Sequence, residues 1–256
     1  MPRNRAGAVG VLGGTMWSTR QLRAFVVAAT VAGLALAAPS AATADDDVPR
    51  AALTVDEVAR TQCSAAAVRP LSDQLLAEVA CLRPGVLAAI DDIPGVELGI
   101  NAAPLLDAAA ARALRAAADG SPLWIYSTTR TLAQQYVYHH WYRHRRCPSV
   151  VALAAPPGRS NHESGLAIDV PDYAAWKARL RGAGFRWLGR RDRVHFDYRG
   201  RGAGDLRRLS VRAFQRLWNR NHPDDRIREH GRWDVATARR LARAPADGFA
   251  RGPTCR

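Results

Sequence analysis

Two short stretches in the middle of the chain alternate between apolar side chains and polar or small ones, which is the period of a β-strand. The apolar positions of one face are Leu166, Ile168 and Val170 in residues 165–170, and Val194, Phe196 and Tyr198 in residues 194–198. The opposite face carries Asp169 in the first strand and His195 in the second. If the two strands are neighbours, Asp169 and His195 reach a common point, and the small Ala167 leaves room for an ion there.

Helical periodicity predicts most of the other elements. Helices are expected over residues 54–82, 103–118 and 173–182, and in a further segment that ends near residue 146; strands are expected at 123–126 and 185–188. The end of the strand at 123–126 delivers Ser127 and Arg130 to the same region of the molecule. A few strands among helices predict an α+β fold, with a small, mostly antiparallel sheet and flanking helices.

The C-terminal segment, residues 206–256, has a different pattern. Val211, Phe214, Leu217 and Trp218 mark one amphipathic helix, and residues 237–244 mark a second. The segment is therefore predicted to form a short helical tail. It also holds 13 Arg against five Asp or Glu, and so accounts for most of the formal charge of +14.

The first 44 residues have the composition of a secretory signal peptide. Arginines precede an apolar run at 24–38, which is too short to span a bilayer comfortably. The small residues Ala42, Thr43 and Ala44 follow as a cleavage pattern, and the start is either Met1 or Met16. The chain is thus expected to be secreted, with no stable membrane span after cleavage; the alternative is an uncleaved membrane anchor.

Export agrees with the even number of cysteines, which are Cys63, Cys81, Cys147 and Cys255. Four cysteines allow three pairings, of which we favour Cys63–Cys81 with Cys147–Cys255. The absence of a Cys-x-x-Cys pair argues against a cysteine zinc site. For an exported basic protein, an anionic cell-wall polymer or a membrane surface is a better partner than nucleic acid, for which the sequence has no motif.

Histidine and carboxylate residues around the two alternating strands are the parts of a catalytic zinc site. His162, just before the first strand, completes a three-ligand set with Asp169 and His195, and a fourth position is left for water. Asp192 lies on the predicted turn before His195, where it can act as general base. His140 and His144 have helical i, i+4 spacing without a His-Glu-x-x-His motif, so we assign them to packing or to the surface.

These residues form a recognisable pattern: Ser160, His162, Gly165, Ala167 and Asp169 read Ser-x-His-x-x-Gly-x-Ala-x-Asp, followed by an acid three residues before a second His. The pattern resembles the VanY-type D-alanyl-D-alanine carboxypeptidases, which are zinc peptidoglycan peptidases. Residues 127–135 resemble a further segment of that family, Ser-x-x-Arg-Ser-x-x-x-Gln, with Thr131 in place of the second Ser. The chain departs from many members at Asp192, where they have Glu, and at Thr129, where an aromatic residue is usual.

The resemblance spans residues 122–198. It implies an α+β fold, zinc held by His162, Asp169 and His195, and a base at Asp192. It also implies that Arg130 holds a substrate carbonyl or carboxylate. Gln135 and Ser160 are further candidates for substrate binding, although a purely structural role suits each of them equally well.

The predicted function is hydrolysis of peptidoglycan stem peptides at the cell wall, with release of terminal D-alanine. Two alternatives are an endopeptidase that cuts within stems or cross-bridges, and a non-catalytic wall-binding protein. The predicted organisation is a signal peptide (1–44), a zinc peptidase domain (45–205) and the basic tail (206–256). The tail weakly resembles a truncated peptidoglycan-binding helical module; a helical cap on the catalytic body explains it equally well.

Overall fold

A computed structural model describes residues 52–255, so the predicted signal peptide lies outside the described residues. The described chain contains seven α-helices: α1 (Val55–Thr61), α2 (Arg69–Leu82), α3 (Ala108–Ala118), α4 (Leu132–Arg143), α5 (Tyr173–Gly182), α6 (Arg207–Asn221) and α7 (Val235–Arg243). Two 3-10 helices cover Ala65–Val68 and His162–Ser164. Among residues 52–255, no helix combines the length and apolar character needed to cross a membrane.

Seven short strands accompany the helices in this range: β1 (Leu87–Ala89), β2 (Val96–Leu98), β3 (Leu105–Asp107), β4 (Leu123–Ile125), β5 (Ala167–Asp169), β6 (Phe185–Trp187) and β7 (His195–Tyr198). β5, β7 and β6 form an antiparallel sheet in that order. β1 pairs with β3 antiparallel, and β2 pairs with β4 parallel. The fold is therefore mixed α+β with small, mostly antiparallel sheets, as predicted.

The two alternating strands are neighbours, and their register places Asp169 directly opposite His195. Ile168, Val170, Phe196 and Tyr198 turn into one hydrophobic core with α3 and α5, as the alternation predicts. Since successive strand residues face opposite sides, burial of these apolar side chains orients Asp169 and His195 away from the core.

Two predicted helices differ from the observed elements. The segment 54–82 is interrupted, because Ser64 caps a 3-10 helix and Pro70 lies at the start of α2. Proline lacks the N–H of a helix interior and is tolerated in the first turn. In the segment 103–118, residues 105–107 form β3, and the Asp107 carboxylate accepts hydrogen bonds from the backbone N–H groups of Ala109 and Ala110.

A second hydrophobic core joins the two ends of the described chain. It is formed by α1, α2 and α4 together with tail residues that include Phe214, Leu217 and Trp218. The Val55 N–H donates to the Ala244 carbonyl oxygen at 2.9 Å. The tail helices thus pack on the N-terminal helices, which is the arrangement expected of a helical cap; binding of wall material by the tail stays a prediction.

Two disulfides are present, but the predicted pairing is wrong. The bonds join Cys63 to Cys147 and Cys81 to Cys255. α2 carries Cys81 about 18 Å along its axis from Arg69, at 1.5 Å per residue, and so away from Cys63. Cys63 follows α1, which packs on α4, and the Trp141 Nε1–H donates to the Ala59 carbonyl oxygen at 3.0 Å. The packing of the helices therefore determines which cysteines pair, in spite of the short separation in sequence between Cys63 and Cys81.

Candidate metal centre

Two imidazoles and a carboxylate converge in the structure. His162, Asp169 and His195 each offer one donor atom, and these atoms lie within 4.8 Å of one another. The three residues are only 4%, 4% and 5% exposed. Asp169 ends β5 and His195 begins β7, and the strand pairing brings them together. The backbone N–H of Arg130 donates to the His162 carbonyl oxygen at 3.2 Å, which ties the third member to the same place.

Each histidine is anchored through the nitrogen that faces away from this centre. His162 Nδ1 lies 2.7 Å from the Thr128 carbonyl oxygen, and its Nε2 lies 3.2 Å from Asp169 Oδ2. His195 Nε2 lies 3.0 Å from Asp197 Oδ1, and its Nδ1 lies 3.1 Å from Asp169 Oδ1. Histidine ligands of zinc are usually held through the second ring nitrogen by a carbonyl or a carboxylate. The donor set and its anchoring therefore fit a divalent metal with three protein ligands.

The electrostatics of the site favour a charged carboxylate beside the imidazoles. Burial alone would raise the pKa of Asp169, but the adjacent His162, His195 and Arg130 hold it far below its usual range. Burial, followed by the charge of Arg130, lowers the pKa of His162. At His195, burial favours a lower pKa, but its contacts with Asp169 and Asp197 outweigh this and raise the pKa to about 9. Asp169 thus stays ionised, which is the form that binds a cation.

Asp197 was not among the predicted site residues, yet the structure places it beside His195. Its carboxylate also accepts hydrogen bonds from Asn161 Nδ2 at 3.0 Å and from Arg199 Nη2 at 3.1 Å. The signal was present in the alternation of residues 194–198, since Asp197 shares a strand face with His195. A carboxylate two residues beyond a ligand histidine on a strand is thus a candidate anchor for its ring.

Asp197→Asn is expected to weaken metal binding about 10- to 100-fold, which is the usual cost of losing such an anchor. The amide can present its NH₂ group to His195 Nε2 and so favour the wrong tautomer of the ring. Metal affinity would be measured by competition with a chromophoric chelator. Arg199→Gln is the matched control, because it removes another Asp197 partner whose side chain is 58% exposed. Equal affinities of Asp197→Asn and the wild-type protein would contradict this role.

Arg130 lies against the same centre. Its Nη2 is 3.3 Å from Asp169 Oδ2 and 2.9 Å from Ser127 Oγ, which accepts the hydrogen bond. Its guanidinium group also lies over the Tyr138 ring, 4.7 Å from the ring centroid. β4 brings this segment into place as predicted, since Ser127 pairs with Asp169 across an isolated bridge. The result is a fixed, planar donor beside the three candidate ligands.

A cavity of about 530 Å³ opens onto these groups. Its wall includes His162, Asp169, His195, Arg130, Ser160 and Asp192, together with residues 149–155. The exposed apolar side chains at its edge are Tyr126, Val150, Leu153 and Leu188. Ligand cavities commonly combine such apolar side chains with a few polar groups that fix the orientation of the ligand.

Asp192 lies on the turn before β7, as predicted, and its carbonyl oxygen accepts a hydrogen bond from the His195 N–H at 3.4 Å. Burial and then the charge of Asp169 raise the pKa of Asp192. A carboxylate with a raised pKa is better matched to proton transfer near neutral pH than an ordinary aspartate.

The two remaining predicted residues occupy different places. Ser160 lines the cavity, and its Oγ accepts a hydrogen bond from the backbone N–H of His162 at 3.3 Å. Gln135 is fully buried on α4 and is not part of the cavity wall. Its Nε2 donates to the Ala155 carbonyl oxygen at 2.8 Å, so it braces the loop that forms one side of the cavity.

Glu163, which the sequence did not single out, is a buried carboxyl next to His162. It accepts hydrogen bonds from the backbone N–H groups of Gly158 at 2.9 Å and Ser160 at 3.1 Å. These bonds shape the loop that leads into the site. Burial raises the pKa of Glu163 to about 8, although the two backbone bonds oppose the change.

Glu163→Gln is expected to change how stability depends on pH. Between its ordinary value of 4.5 and about 8, the folded carboxyl keeps its proton whereas the unfolded one loses it. The free energy of unfolding of the wild type therefore falls as pH rises through this window, by up to about 1.4 kcal/mol per pH unit. The glutamine variant lacks this loss, so its stability relative to the wild type should rise with pH.

The measurement is denaturant unfolding of both proteins between pH 5 and 8, with chelator present so that metal binding does not contribute. Glu97→Gln serves as the control, since Glu97 is an exposed glutamate on β2. The absolute stability of Glu163→Gln is not informative alone, because the amide also loses one of the two loop hydrogen bonds. Parallel stability curves for the wild type and Glu163→Gln would contradict the raised pKa.

Comparison with known proteins gives one match. The family model described as VanY, D-alanyl-D-alanine carboxypeptidase, matches residues 104–198. Neither the curated proteins nor the solved structures yielded a match. The matched segment runs from β3 to β7 and contains all three candidate ligands with Asp192, Arg130 and the cavity wall built from them. Residues 104–198 of this chain are therefore similar to the VanY family of D-alanyl-D-alanine carboxypeptidases.

Proposed function

We propose that the protein is an exported zinc metallopeptidase that removes terminal D-alanine from peptidoglycan stem peptides. One observation carries the proposal: His162, Asp169 and His195 converge on the wall of a cavity that also presents Asp192 and Arg130. The VanY family match of the same segment supports a D-alanyl-D-alanine carboxypeptidase type of activity. Two disulfides and the signal-like N-terminal segment support export.

His162, Asp169 and His195 are the residues that would hold the zinc ion. When bound, zinc polarises a scissile carbonyl group and brings the pKa of water toward about 7. The protein contributes by fixing the three donors before any ligand arrives, through Thr128 and Asp197 at the histidines and Ser127 at the β5 backbone.

Asp192 is the proposed general base. It lines the cavity from the turn before β7, on the side of the site that Asp169 and His195 also face. In its charged form it accepts a proton from the attacking water, and it then returns the proton to the amine of the departing D-alanine. Its raised pKa helps the first transfer, because a more basic carboxylate takes the proton from water more readily.

Arg130 is the proposed anchor of the substrate, and it favours a carboxypeptidase over an endopeptidase. A guanidinium group binds a carboxylate through two parallel hydrogen bonds. Arg159 and Arg191 also line the cavity, so a negatively charged chain terminus finds positive charge on several sides. An internal peptide bond carries no negative charge that these arginines could bind. Ser160, beside His162, can donate its hydroxyl proton to a carbonyl oxygen of the stem.

The decisive test measures D-alanine release from a synthetic pentapeptide stem by the purified protein. Activity should vanish after extensive chelation and return when zinc is added. The products should be one D-alanine and one tetrapeptide per cleavage. Full activity in protein that has been shown to contain no metal would contradict the mechanism.

Digestion of purified sacculi separates the carboxypeptidase from an endopeptidase. The masses of the released fragments should show stems shortened by one alanine, with cross-links still intact. Fragments that arise by cleavage within stems or cross-bridges would instead support the endopeptidase. Zinc-loaded protein that releases no fragment from either substrate would favour a wall-binding protein without catalytic activity.

A further inference from the structure

A second pocket, in the basic tail, has the properties of an anion site. It encloses about 290 Å³ and is lined by Arg212, Arg216, Asn219, Arg220, Arg226 and Glu229. Arg212, Arg216 and Arg220 are spaced by four residues along α6, and so lie on one face of that helix. Arg226 joins them from the segment that follows the helix. None of these residues belongs to the matched segment 104–198.

Two arginines of the pocket wall form ion pairs with a buried carboxylate. Glu78 of α2 is fully buried, and its carboxylate contacts Arg216 Nε at 2.9 Å and Arg220 Nη1 at 3.1 Å. Arg220 Nη1 also donates to the Gly252 carbonyl oxygen at 2.7 Å. A buried carboxylate must be paired, so these contacts hold the two arginines in place. They use only part of the five N–H donors that each guanidinium group carries.

Asn219 of α6 also lines the pocket and is only 4% exposed. Its Oδ1 accepts from the Ile227 N–H at 2.7 Å, and its Nδ2 donates to the Ile227 carbonyl oxygen at 2.8 Å. The same Nδ2 is 3.0 Å from Glu229 Oε1, so the glutamate is already engaged. This double contact fixes the backbone beside Arg226 against α6.

Arg212 and Arg226 are exposed and form no ion pair with any residue in the range 52–255. Even after Glu78 and Glu229 are counted, the four arginines leave an excess of two positive charges. Donors therefore line the same pocket from α6 and from the segment after it. A planar carboxylate is satisfied by one guanidinium fork, as in a bidentate pair, whereas a tetrahedral phosphate can accept from several arginines at once.

We propose that this pocket, formed by Arg212, Arg216, Arg220 and Arg226, binds the phosphate groups of an anionic phosphodiester polymer of the cell wall. The wall location of the polymer rests on the proposed function, whereas the binding of phosphate does not. The pocket wall contains no aromatic side chain on which a nucleic-acid base would stack. It also contains no apolar side chain that would enter a lipid layer.

The test compares two double variants with the same change in charge. Arg212→Gln with Arg226→Gln removes the two free arginines of the pocket. Arg232→Gln with Arg239→Gln removes two exposed tail arginines that do not line it. Arg216 and Arg220 are left intact, because their loss would strand the buried Glu78 and unfold the tail. Circular dichroism and D-alanine release from a soluble stem should be unchanged in both variants.

Binding of synthetic poly(glycerol phosphate) and of inorganic phosphate would be measured by calorimetry at fixed salt. The pocket variant is expected to bind the polymer about tenfold more weakly or worse, and the control variant to change less than about threefold. The measurement is of polymer binding and not of peptidase activity. A protein without peptidase activity can therefore still show phosphate binding by the pocket, and an active peptidase can lack it.

Three outcomes would overturn the proposal. Equal losses in the two double variants would mean that the tail binds through diffuse charge. Equally tight binding of polyglutamate of matched length would remove the preference for phosphate. Pocket-dependent binding to phosphatidylglycerol vesicles without binding to the polymer would identify a membrane as the partner instead.

Discussion

His195→Ala is expected to lower the rate of release of terminal D-alanine about 10³-fold or more. It should also prevent the protein from binding the metal. The imidazole supplies one of three protein donors, and Asp169 sits between the two histidines. Without His195, two donors remain, which is too few for the three-ligand site of a catalytic zinc ion. A catalytic zinc ion at this site would contribute several kcal/mol to transition-state stabilisation, and its loss is the origin of the expected effect.

The experiment measures metal content by elemental analysis alongside turnover of a pentapeptide stem. His140→Ala is the matched control, because His140 lies on α4, outside the cavity wall. Its metal content and its turnover should equal those of the wild type. A His195→Ala protein that retains one metal ion per chain would show that the three donors do not form the metal site.

The second large effect is expected for Asp192→Asn, which should keep its metal and lose about 10²- to 10⁴-fold in kcat. Asparagine has the shape of aspartate but cannot accept the proton of the attacking water. The backbone of residue 192 bonds to His195 through its carbonyl group, so this substitution leaves the local fold intact. Turnover should therefore fall in this variant while the metal content stays at the wild-type level, whereas both should fall in His195→Ala.

The pH profile gives an independent readout. Burial and the charge of Asp169 raise the pKa of Asp192, and the base acts only when ionised. Wild-type kcat/KM should thus rise with pH along its acid limb, and the residual activity of Asp192→Asn should lack that limb. Asp91→Asn changes an exposed aspartate elsewhere and should leave the profile unaltered. A variant at Asp192 with the wild-type profile would assign the proton transfer to another group.

The local elements around the candidate site can be predicted from the sequence. The alternation in residues 165–170 and 194–198 correctly predicts two strands and the apolar face of each, and the structure adds that the strands are neighbours. α5 runs from Tyr173 to Gly182, as the helical periodicity predicts. Such features are local, because a strand or helix shows its buried face through a period of two or 3.6 residues.

The sequence shows only part of how the candidate ligands are held in place. Asp197 shares a face with His195, but only the packed strands show that its carboxylate meets the ring nitrogen that points away from Asp169. Glu163 has no distinguishing signal in the sequence, but the loop at 158–160 folds over it and buries it. Gln135 fits the family segment, yet α4 turns it into the interior. In each case the role depends on which groups the fold brings near.

The sequence by itself determined the strand pattern, the α+β class and the set of residues that meet at the candidate metal centre. Only the tertiary structure decided that Cys63 pairs with Cys147 and Cys81 with Cys255, that the tail packs on the N-terminal helices, and that Glu78 holds two arginines at the tail pocket. The physical reason is that the two kinds of feature depend on interactions over different distances along the chain. Periodicity records the surroundings of a residue within one element, whereas pairings between distant segments depend on helix packing, which no single segment encodes.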